Sequence, residues 1–210
     1  MAITQQQRGY RKIMHNQLEH SSGFTLMELM VTIAIAGILL GVAIPSFTSI
    51  ISSNRLTTYA NELVTALNFA RSEAIKRGQP VTIRHNGSTS GDWSSGWTIF
   101  TDLDGDGALD VANADTLLRT YAALPTSFTL RGTYENRITY QASGISANGS
   151  FVICDNSDNN DIPEANTSKL ITVNSIGRPH IGIDSDKDGI PEKDDGTEIN
   201  SCINSPFTPH

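Results

Sequence analysis

Residues 23–44 read Gly-Phe-Thr-Leu-Met-Glu-Leu-Met-Val-Thr-Ile-Ala-Ile-Ala-Gly-Ile-Leu-Leu-Gly-Val-Ala-Ile, and this stretch decides how the chain is built. Apart from Glu28 it is almost entirely apolar, and its length approaches the roughly 20 residues that a helix needs to cross a bilayer. Basic residues precede the stretch, and the next one comes only at Arg55. The positive-inside rule therefore predicts a cytoplasmic N-terminus with the bulk of the chain on the other side of the membrane.

The order of polar and apolar segments argues against an ordinary secretory signal. Such a signal has a shorter apolar core and a small-residue cleavage site after it. Here a polar leader, residues 1–23, comes before the apolar run, so we expect cleavage in front of that run. Glu28 also fits a signal peptide poorly, because a carboxylate in apolar surroundings is expensive and implies a partner.

The hexapeptide Gly23-Phe24-Thr25-Leu26-Met27-Glu28 resembles the processing site of type IV prepilins, which is likewise followed by an apolar run. The resemblance implies that a prepilin peptidase cuts after Gly23 and methylates the new amino group of Phe24. It also implies that the membrane and other minor and major pilins or pseudopilins are partners of the chain.

Glu28 is the candidate assembly residue. Cleavage would create a cationic amine at Phe24, about one helical turn away. This amine can neutralise Glu28 in the same chain or in a neighbouring subunit, and such pairing lowers the cost of a charge in apolar surroundings. The alternative is a carboxylate at the membrane interface that needs no partner.

The helical pattern continues past the apolar run to Arg77, where Gly78 and Pro80 signal its end. We expect a transmembrane and polymerisation helix over residues 24–45 and an amphipathic continuation over 46–77, followed by a β-rich periplasmic head over 78–210. Two interpretations of Pro45 stay open: a local break inside one long helix, or the end of a membrane helix. The predicted apolar face comprises Phe47, Ile50, Ile51, Leu63, Val64, Leu67, Ala70, Ala74 and Ile75.

After Gly78 the pattern changes to short strands separated by turn-rich segments. Strands that follow a single helix suggest an α+β domain with antiparallel sheets. The predicted strands are Val81–His85, Trp97–Thr101, Leu117–Ala122, Ser127–Arg131, Arg137–Gln141, Phe151–Cys154 and Lys169–Asn174.

Four further motifs resemble the GspH/FimT family of minor pilins and pseudopilins. They are Asn68-Phe69-Ala70-Arg71-Ser72-Glu73-Ala74, Arg77-Gly78, Gly96-Trp97-Thr98-Ile99-Phe100-Thr101-Asp102 and Ile176-Gly177-Arg178-Pro179. The resemblance implies an α+β fold in which a long N-terminal helix packs on a head of two β-sheets. It also implies a place at or near the tip of a type IV pilus or of a type II secretion pseudopilus.

Composition and charge narrow the functional classes. The formal net charge is −7, with acids crowded between Asp155 and Glu198, and this argues against broad binding of a phosphate backbone. The five histidines are scattered, and no nucleophile elbow, P-loop or HExxH motif is present. We therefore expect that the chain is not an enzyme.

The two cysteines, Cys154 and Cys202, are 48 positions apart, and neither belongs to a CxxC motif. This spacing argues against a zinc site. In an exported protein the default is one disulfide, whereas in the cytosol they would be two unrelated buried thiols. The export argument favours the disulfide.

An acidic loop near the C-terminus has the ligand spacing of an EF-hand-type calcium loop, with Gly189 at the sharp turn. It also resembles the DxDxDG loops of thrombospondin-type and dockerin-type repeats, although a short Asp closes it in place of the usual Glu. The alternative is a solvated acidic turn. The candidate calcium ligands are Asp184, Asp186, Asp188, Ile190, Glu192 and Asp195. For the similar run Asp102–Asp110, we favour the plain turn.

The segment Gly177-Arg178-Pro179-His180 bears on a second function. Some FimT-type minor pilins bind DNA in natural transformation through a C-terminal motif of glycine, arginine, any residue and arginine. Here His180 stands at the second arginine, and a mostly uncharged histidine weakens that phosphate contact. The sequence thus predicts an assembly subunit first, with DNA binding through Arg178 and His180 as the alternative.

Overall fold

The computed structural model describes residues 23–110, 112, 114–193 and 196–202, and of Pro45 and Ser46 only the backbone. The predicted leader up to Ser22 and the predicted ligand Asp195 lie outside this range. The chain divides into two compact units, Met1–Ile44 and Pro45–His210. The first contains the beginning of the long helix, and the second contains its remainder and all the strands.

Helix α1 runs from Leu26 to Arg77. Its start is two residues later than the expected Phe24, because Thr25 caps the helix: the Thr25 Oγ1 accepts a hydrogen bond from the backbone N–H of Glu28 at 3.1 Å. Its end agrees with the sequence. Gly78 adopts a φ of 65° and the N–H of Gln79 bonds to the carbonyl of Ala74, which together form a Schellman cap. The helix does not end at Pro45, so the interpretation of Pro45 as a helix terminus is wrong.

In the described part of the chain, eight strands form two antiparallel sheets in the head. The strands are β1 (Val81–His85), β2 (Trp97–Thr101), β3 (Leu117–Tyr121), β4 (Phe128–Gly132), β5 (Arg137–Tyr140), β6 (Gly149–Asp155), β7 (Ser168–Val173) and β8 (Pro179–Ile181). The first sheet has the order β3-β2-β1-β5 and the second the order β4-β6-β7-β8. The two β-sheets and the single helix confirm the α+β class.

One core joins α1 to the inward faces of both sheets. From the helix, this core buries Leu56, Ala60, Leu63, Ala66, Leu67, Ala70 and Ala74. Large aromatic side chains complete this core: Trp93, in the loop between β1 and β2, meets Phe151 of β6 edge-to-face with centroids 5.0 Å apart. Tyr59 of α1 packs in the same way on Phe128 of β4 at 5.1 Å. Each such pair adds to the gain from simple burial of the rings.

The predicted apolar face of the second half of α1 needs a correction. Phe47, Ile50, Ile51 and Ile75 are exposed, whereas Leu63, Leu67, Ala70 and Ala74 are buried. The contact with the core begins at Leu56, and the residues before it continue the apolar character of the N-terminal segment without touching the head core. Apolar periodicity indicates which face of a helix is apolar, but it does not indicate at which residue the contact with the head core begins.

The second sheet is covered on both faces, and this explains the unbroken burial of β6 from Gly149 to Cys154. One face of β6 meets the main core. On the other face, Val152, Cys154 and Leu170 pack against Ile199 and Cys202. Those last two residues belong to the segment 182–202, called the strap below. The strap is tied to β6 by a disulfide between Cys154 and Cys202, whose Cα atoms lie 5.9 Å apart.

Candidate assembly and cation-binding sites

The predicted cleavage point lies in open backbone. Gly23, Phe24 and Thr25 precede helix α1 and adopt no regular secondary structure. The Phe24 side chain is 73% exposed, and a Cβ added at Gly23 would meet nothing within 4 Å. An alanine at position 23 would therefore fit the fold. Any strict requirement for glycine at this position would come from a molecule that recognises the segment and not from the fold of this chain.

Glu28 lies in the first turn of α1 and is exposed. Among the described residues no cation pairs with it. Its position suits a carboxylate electrostatically, because the first turn of a helix carries a partial positive charge. The apolar side chains that follow, from Leu29 to Ile44, are exposed as well. A carboxylate at the head of an uncovered apolar helix agrees with the predicted assembly role, which stays a prediction.

Helix α1 is the one helix in the described part of the chain that is long and apolar enough to cross a membrane. Its most apolar window has a mean hydropathy of 2.3 and none of it is buried. Burial of such side chains in a bilayer or in a bundle of similar helices gains about 25 cal/mol per Å² of apolar surface. This segment therefore has the properties of a membrane anchor.

The strap carries the predicted calcium loop. Its backbone wraps around Asp184, whose carboxylate accepts hydrogen bonds from the N–H groups of Lys187 at 2.7 Å and Gly189 at 2.9 Å. Gly189 has a φ of 94°, and a Cβ there would lie 2.8 Å from the backbone nitrogen of Asn166. Glycine is thus required at the turn both by conformation and by space.

Carboxylates converge around this turn in two overlapping groups. Oxygen atoms of Asp184, Asp186 and Glu192 lie within 4.8 Å of one another, and so do those of Asp186, Asp188 and Glu198. Sequence reasoning missed Glu198, because it lies beyond a twelve-residue loop. An antiparallel bridge between Glu192 and Glu198 brings it back. The loop can thus present several oxygen atoms to a hard cation, the ligands that Ca²⁺ prefers.

The charges in this cluster repel one another. The negative charge of Asp188 is the largest cause that raises the pKa of Glu198, followed by desolvation and by the other carboxylates of the loop. In contrast, hydrogen bonds donated by the Ser185 side chain and backbone lower the pKa of Glu192. A bound cation would relieve the repulsion at Glu198. Calcium binding at this loop stays a prediction.

The first acidic loop, between β2 and β3, is organised differently. Asp102 is buried, and its carboxylate accepts hydrogen bonds from the Thr82 hydroxyl at 2.6 Å and from the Gly107 N–H at 3.2 Å. Two arginines close the loop from outside: Arg84 donates to the carbonyl of Gly107, and Arg137 donates to that of Asp106. Both arginines donate to backbone carbonyls, while oxygen atoms of Asp102, Asp104 and Asp106 also lie within 4.8 Å of one another. The plain turn at this loop therefore stays a prediction.

The residues of the candidate DNA motif lie at the start of β8. Arg178 and His180 are both exposed. The backbone N–H of Arg178 donates to the side-chain oxygen of Asn174 at 2.9 Å, which fixes the turn and leaves the guanidinium on the surface. The acidic loop begins only four residues after His180. DNA binding through this pair stays a prediction.

Two family models match the sequence. Residues 59–177, more than half of the chain, match the model described as type II transport protein GspH. Residues 20–44 match the prokaryotic N-terminal methylation motif. The first match covers the head-packed part of α1 and both sheets up to the turn before β8, and the second covers the predicted cleavage point and the apolar segment.

Curated relatives align over part of their length. A fimbrial protein of Pseudomonas aeruginosa is 34% identical over 100 residues, which are 47% of this chain and 62% of the relative. The type IV major alpha-pilin of Moraxella bovis is 40% identical over 68 residues, 32% of this chain and 42% of the relative. The aligned part of this chain thus spans less than two thirds of these relatives.

Two solved structures are reported as similar to this chain. The type IV minor pilin FimU of Pseudomonas aeruginosa is 22% identical and covers 62% of this chain and 90% of its own, with a TM-score of 0.51. The minor pseudopilin EpsH of the Vibrio cholerae type 2 secretion system is 13% identical over 60% of this chain and 94% of its own, with a TM-score of 0.43. The likeness to FimU confirms the expected helix on two β-sheets.

Proposed function

Since this chain belongs to the GspH family of type II transport proteins, we propose that it is a minor subunit of a type IV pilus or of a type II secretion pseudopilus. Its place is at or near the tip of the filament. This proposal is supported by the presence, in one chain, of a head that matches the GspH model and of an N-terminal methylation motif. Membership in a family of transport proteins also confirms the expectation that the chain is not an enzyme.

Processing is the first step of the proposed function. A prepilin peptidase cuts between Gly23 and Phe24 and methylates the amino group of Phe24. Both residues lie outside α1, and Phe24 is exposed, so the peptide bond is open to an enzyme. Because the fold has room for a Cβ at position 23, a requirement for glycine would report on the peptidase and not on the stability of this chain.

The apolar segment then holds the subunit in the inner membrane before assembly. Arg8, Arg11 and Lys12 precede the segment, and by the positive-inside rule they favour a cytoplasmic N-terminus and a periplasmic head. Inside the filament the same exposed side chains pack against the helices of neighbouring subunits. The partners are therefore other minor and major pilins or pseudopilins.

Glu28 directs this docking. It is the only charged residue between Phe24 and Asn54, and a lone carboxylate in apolar surroundings strongly favours a nearby cation. The amine created at Phe24, in the same chain or in the next subunit, is the cation that processing supplies. Pairing thus makes entry into the filament depend on prior cleavage.

The test compares Glu28→Ala and Glu28→Asp with the wild type in the native host. We expect both variants to be cleaved and to reach the membrane, while Glu28→Ala is lost from the sheared filament fraction and Glu28→Asp is partly retained. Immunoblots of membrane and filament fractions measure both steps. Normal filament entry by Glu28→Ala would contradict the docking role.

DNA capture is the alternative within the same family. The exposed guanidinium of Arg178 is the feature that favours it, and the adjacent acidic loop opposes it. A gel shift with the head, residues 45–210, decides between them. Salt-sensitive retardation that disappears in Arg178→Gln would establish DNA binding, and no retardation of DNA by the wild type would exclude it.

A further inference from the structure

Thr25 marks the boundary between the predicted cleavage point and helix α1. Its Oγ1 accepts a hydrogen bond from the backbone N–H of Glu28 at 3.1 Å. Its carbonyl oxygen accepts the first bond of the helical ladder, from the N–H of Leu29, also at 3.1 Å. These two bonds are those of an N-cap residue.

An N-cap sets where a helix begins. The first N–H groups of a helix have no partner within the helix, and the capping side chain satisfies one of them. In this chain the cap leaves Gly23 and Phe24 outside the helix, in irregular backbone. Leu26 and Met27, directly after the cap, are both strong helix formers. Without a cap at Thr25, nothing in the described contacts holds the helix start at this position.

The position of the boundary matters for cleavage. Proteolysis of a structured segment follows the population in which the segment is open, because a hydrogen-bonded helical turn must unwind before an enzyme can bind its backbone. A helix that extended over Phe24 would withdraw the bond between Gly23 and Phe24 from that open population. A helix that frayed past Glu28 would move the carboxylate away from its fixed position.

We propose that Thr25 is a positioning residue for leader cleavage: its hydroxyl fixes the start of α1 and so holds the Gly23–Phe24 bond in open backbone. This rests on the proposed function, namely that the chain is a prepilin cut at that bond. Thr25 itself takes no part in the chemistry. It acts through the backbone of Glu28, three residues further on.

The experiment measures cleavage rates of the full-length precursor by prepilin peptidase in detergent-solubilised membranes. Four variants separate capping from shape: Thr25→Ser and Thr25→Asn keep a capping oxygen, whereas Thr25→Val keeps the shape of threonine without the hydroxyl and Thr25→Ala keeps neither. We expect Ser and Asn to be cleaved at about the wild-type rate, because they cap at least as well as threonine. Val and Ala should be cleaved about fivefold more slowly, because loss of the cap shifts the equilibrium from a helix that starts at Leu26 towards one that extends over Phe24 by about that factor.

Hydrogen exchange at the Glu28 amide is measured without the peptidase, so it does not depend on whether the peptidase recognises the Thr25 side chain. Exchange should be slower in Thr25→Val and Thr25→Ala than in the wild type, because a helix that extends over Phe24 bonds this amide to the Phe24 carbonyl, and close to the wild type in Thr25→Ser. Cleavage of Thr25→Val at the wild-type rate, or cleavage of Thr25→Asn as slow as that of Thr25→Ala, would overturn the proposal. Failure of the proposed function would look different, because the wild type itself would then remain uncut between Gly23 and Phe24.

Discussion

Replacing Cys202 by serine removes the covalent tether that holds the strap on the outer face of the second sheet. In the structure this tether joins Cys202 to Cys154 in β6, and Val152, Leu170 and Ile199 pack beside it. The N–H of Cys202 also bonds to the carbonyl of Asp161 at 3.0 Å, a contact that does not need the disulfide. The reduced wild type, which keeps both sulfur atoms in place, therefore isolates the covalent contribution from that of packing.

The size of the effect follows from the loop that the disulfide closes. The two cysteines are 48 positions apart, and the chain-entropy model assigns to a loop of that length about 4 kcal/mol at 25 °C. For a head of this size each kcal/mol corresponds to about 2–4 °C in melting temperature. We therefore expect Cys202→Ser to lower the melting temperature of the head by roughly 8–16 °C.

The assay is thermal and urea unfolding of the head, residues 45–210, with and without reductant. The double variant Cys154→Ser/Cys202→Ser should match the reduced wild type and should not respond to reductant. A shift of less than 2 °C is below the smallest expected for 1 kcal/mol. A wild-type head that is insensitive to reductant, or a Cys202→Ser head that melts within 2 °C of the oxidised wild type, would therefore show that the disulfide does not stabilise the head.

Three other perturbations test separate parts of the structure. In thermal melts of the head, calcium at a hundred times its dissociation constant should add about 2.7 kcal/mol to the free energy of unfolding of the wild type. Asp186→Asn should lose this gain, and Asp104→Asn should keep it. No effect of calcium on the wild type would contradict a calcium site in the strap. In a calcium chelator, Glu198→Gln should stabilise the head at neutral pH, because repulsion raises the pKa of Glu198 in the folded state and ionisation therefore costs stability. This advantage should shrink as the pH falls below that pKa and vanish below the lower pKa of Glu198 in the unfolded state. Urea midpoints measured across pH would show the opposite trend if the sign were wrong. Leu67→Ala should lower the free energy of unfolding in urea by about 2–5 kcal/mol, since Leu67 is fully buried. The control Asn68→Ala, at an exposed position, should change it by no more than about 0.5 kcal/mol. Equal losses for both variants would contradict the assigned core.

The sequence anticipates those features that depend on local chemistry. The change from helical to alternating periodicity places β1 and β2 at the residues observed, and Gly78 ends α1 because only a residue that tolerates a positive φ suits the Schellman cap. The start of α1 is missed by two residues, because the pattern at Phe24 is as apolar as the helix itself. The hydroxyl of Thr25, and not hydrophobicity, decides that boundary.

Features that depend on tertiary contacts escape the sequence. Strand β8 has three residues and begins with Pro179, so it carries neither length nor alternation as a signal. The strap is polar and rich in aspartate, and apart from the favoured Cys154–Cys202 disulfide its sequence pattern does not show that Ile190 and Ile199 cover an apolar face. Glu198 joins the acidic cluster through a bridge to Glu192 that no spacing rule contains.

The central claim is that this chain is cut after Gly23 and enters a filament through the helix that follows. Mass spectrometry of the protein recovered from the sheared filament fraction tests it most directly. We expect a low-copy subunit whose first residue is Phe24 with one added methyl group. A precursor that keeps its leader, an unmethylated N-terminus at another residue, or absence of the protein from the filament fraction would show that the chain is not a processed filament subunit.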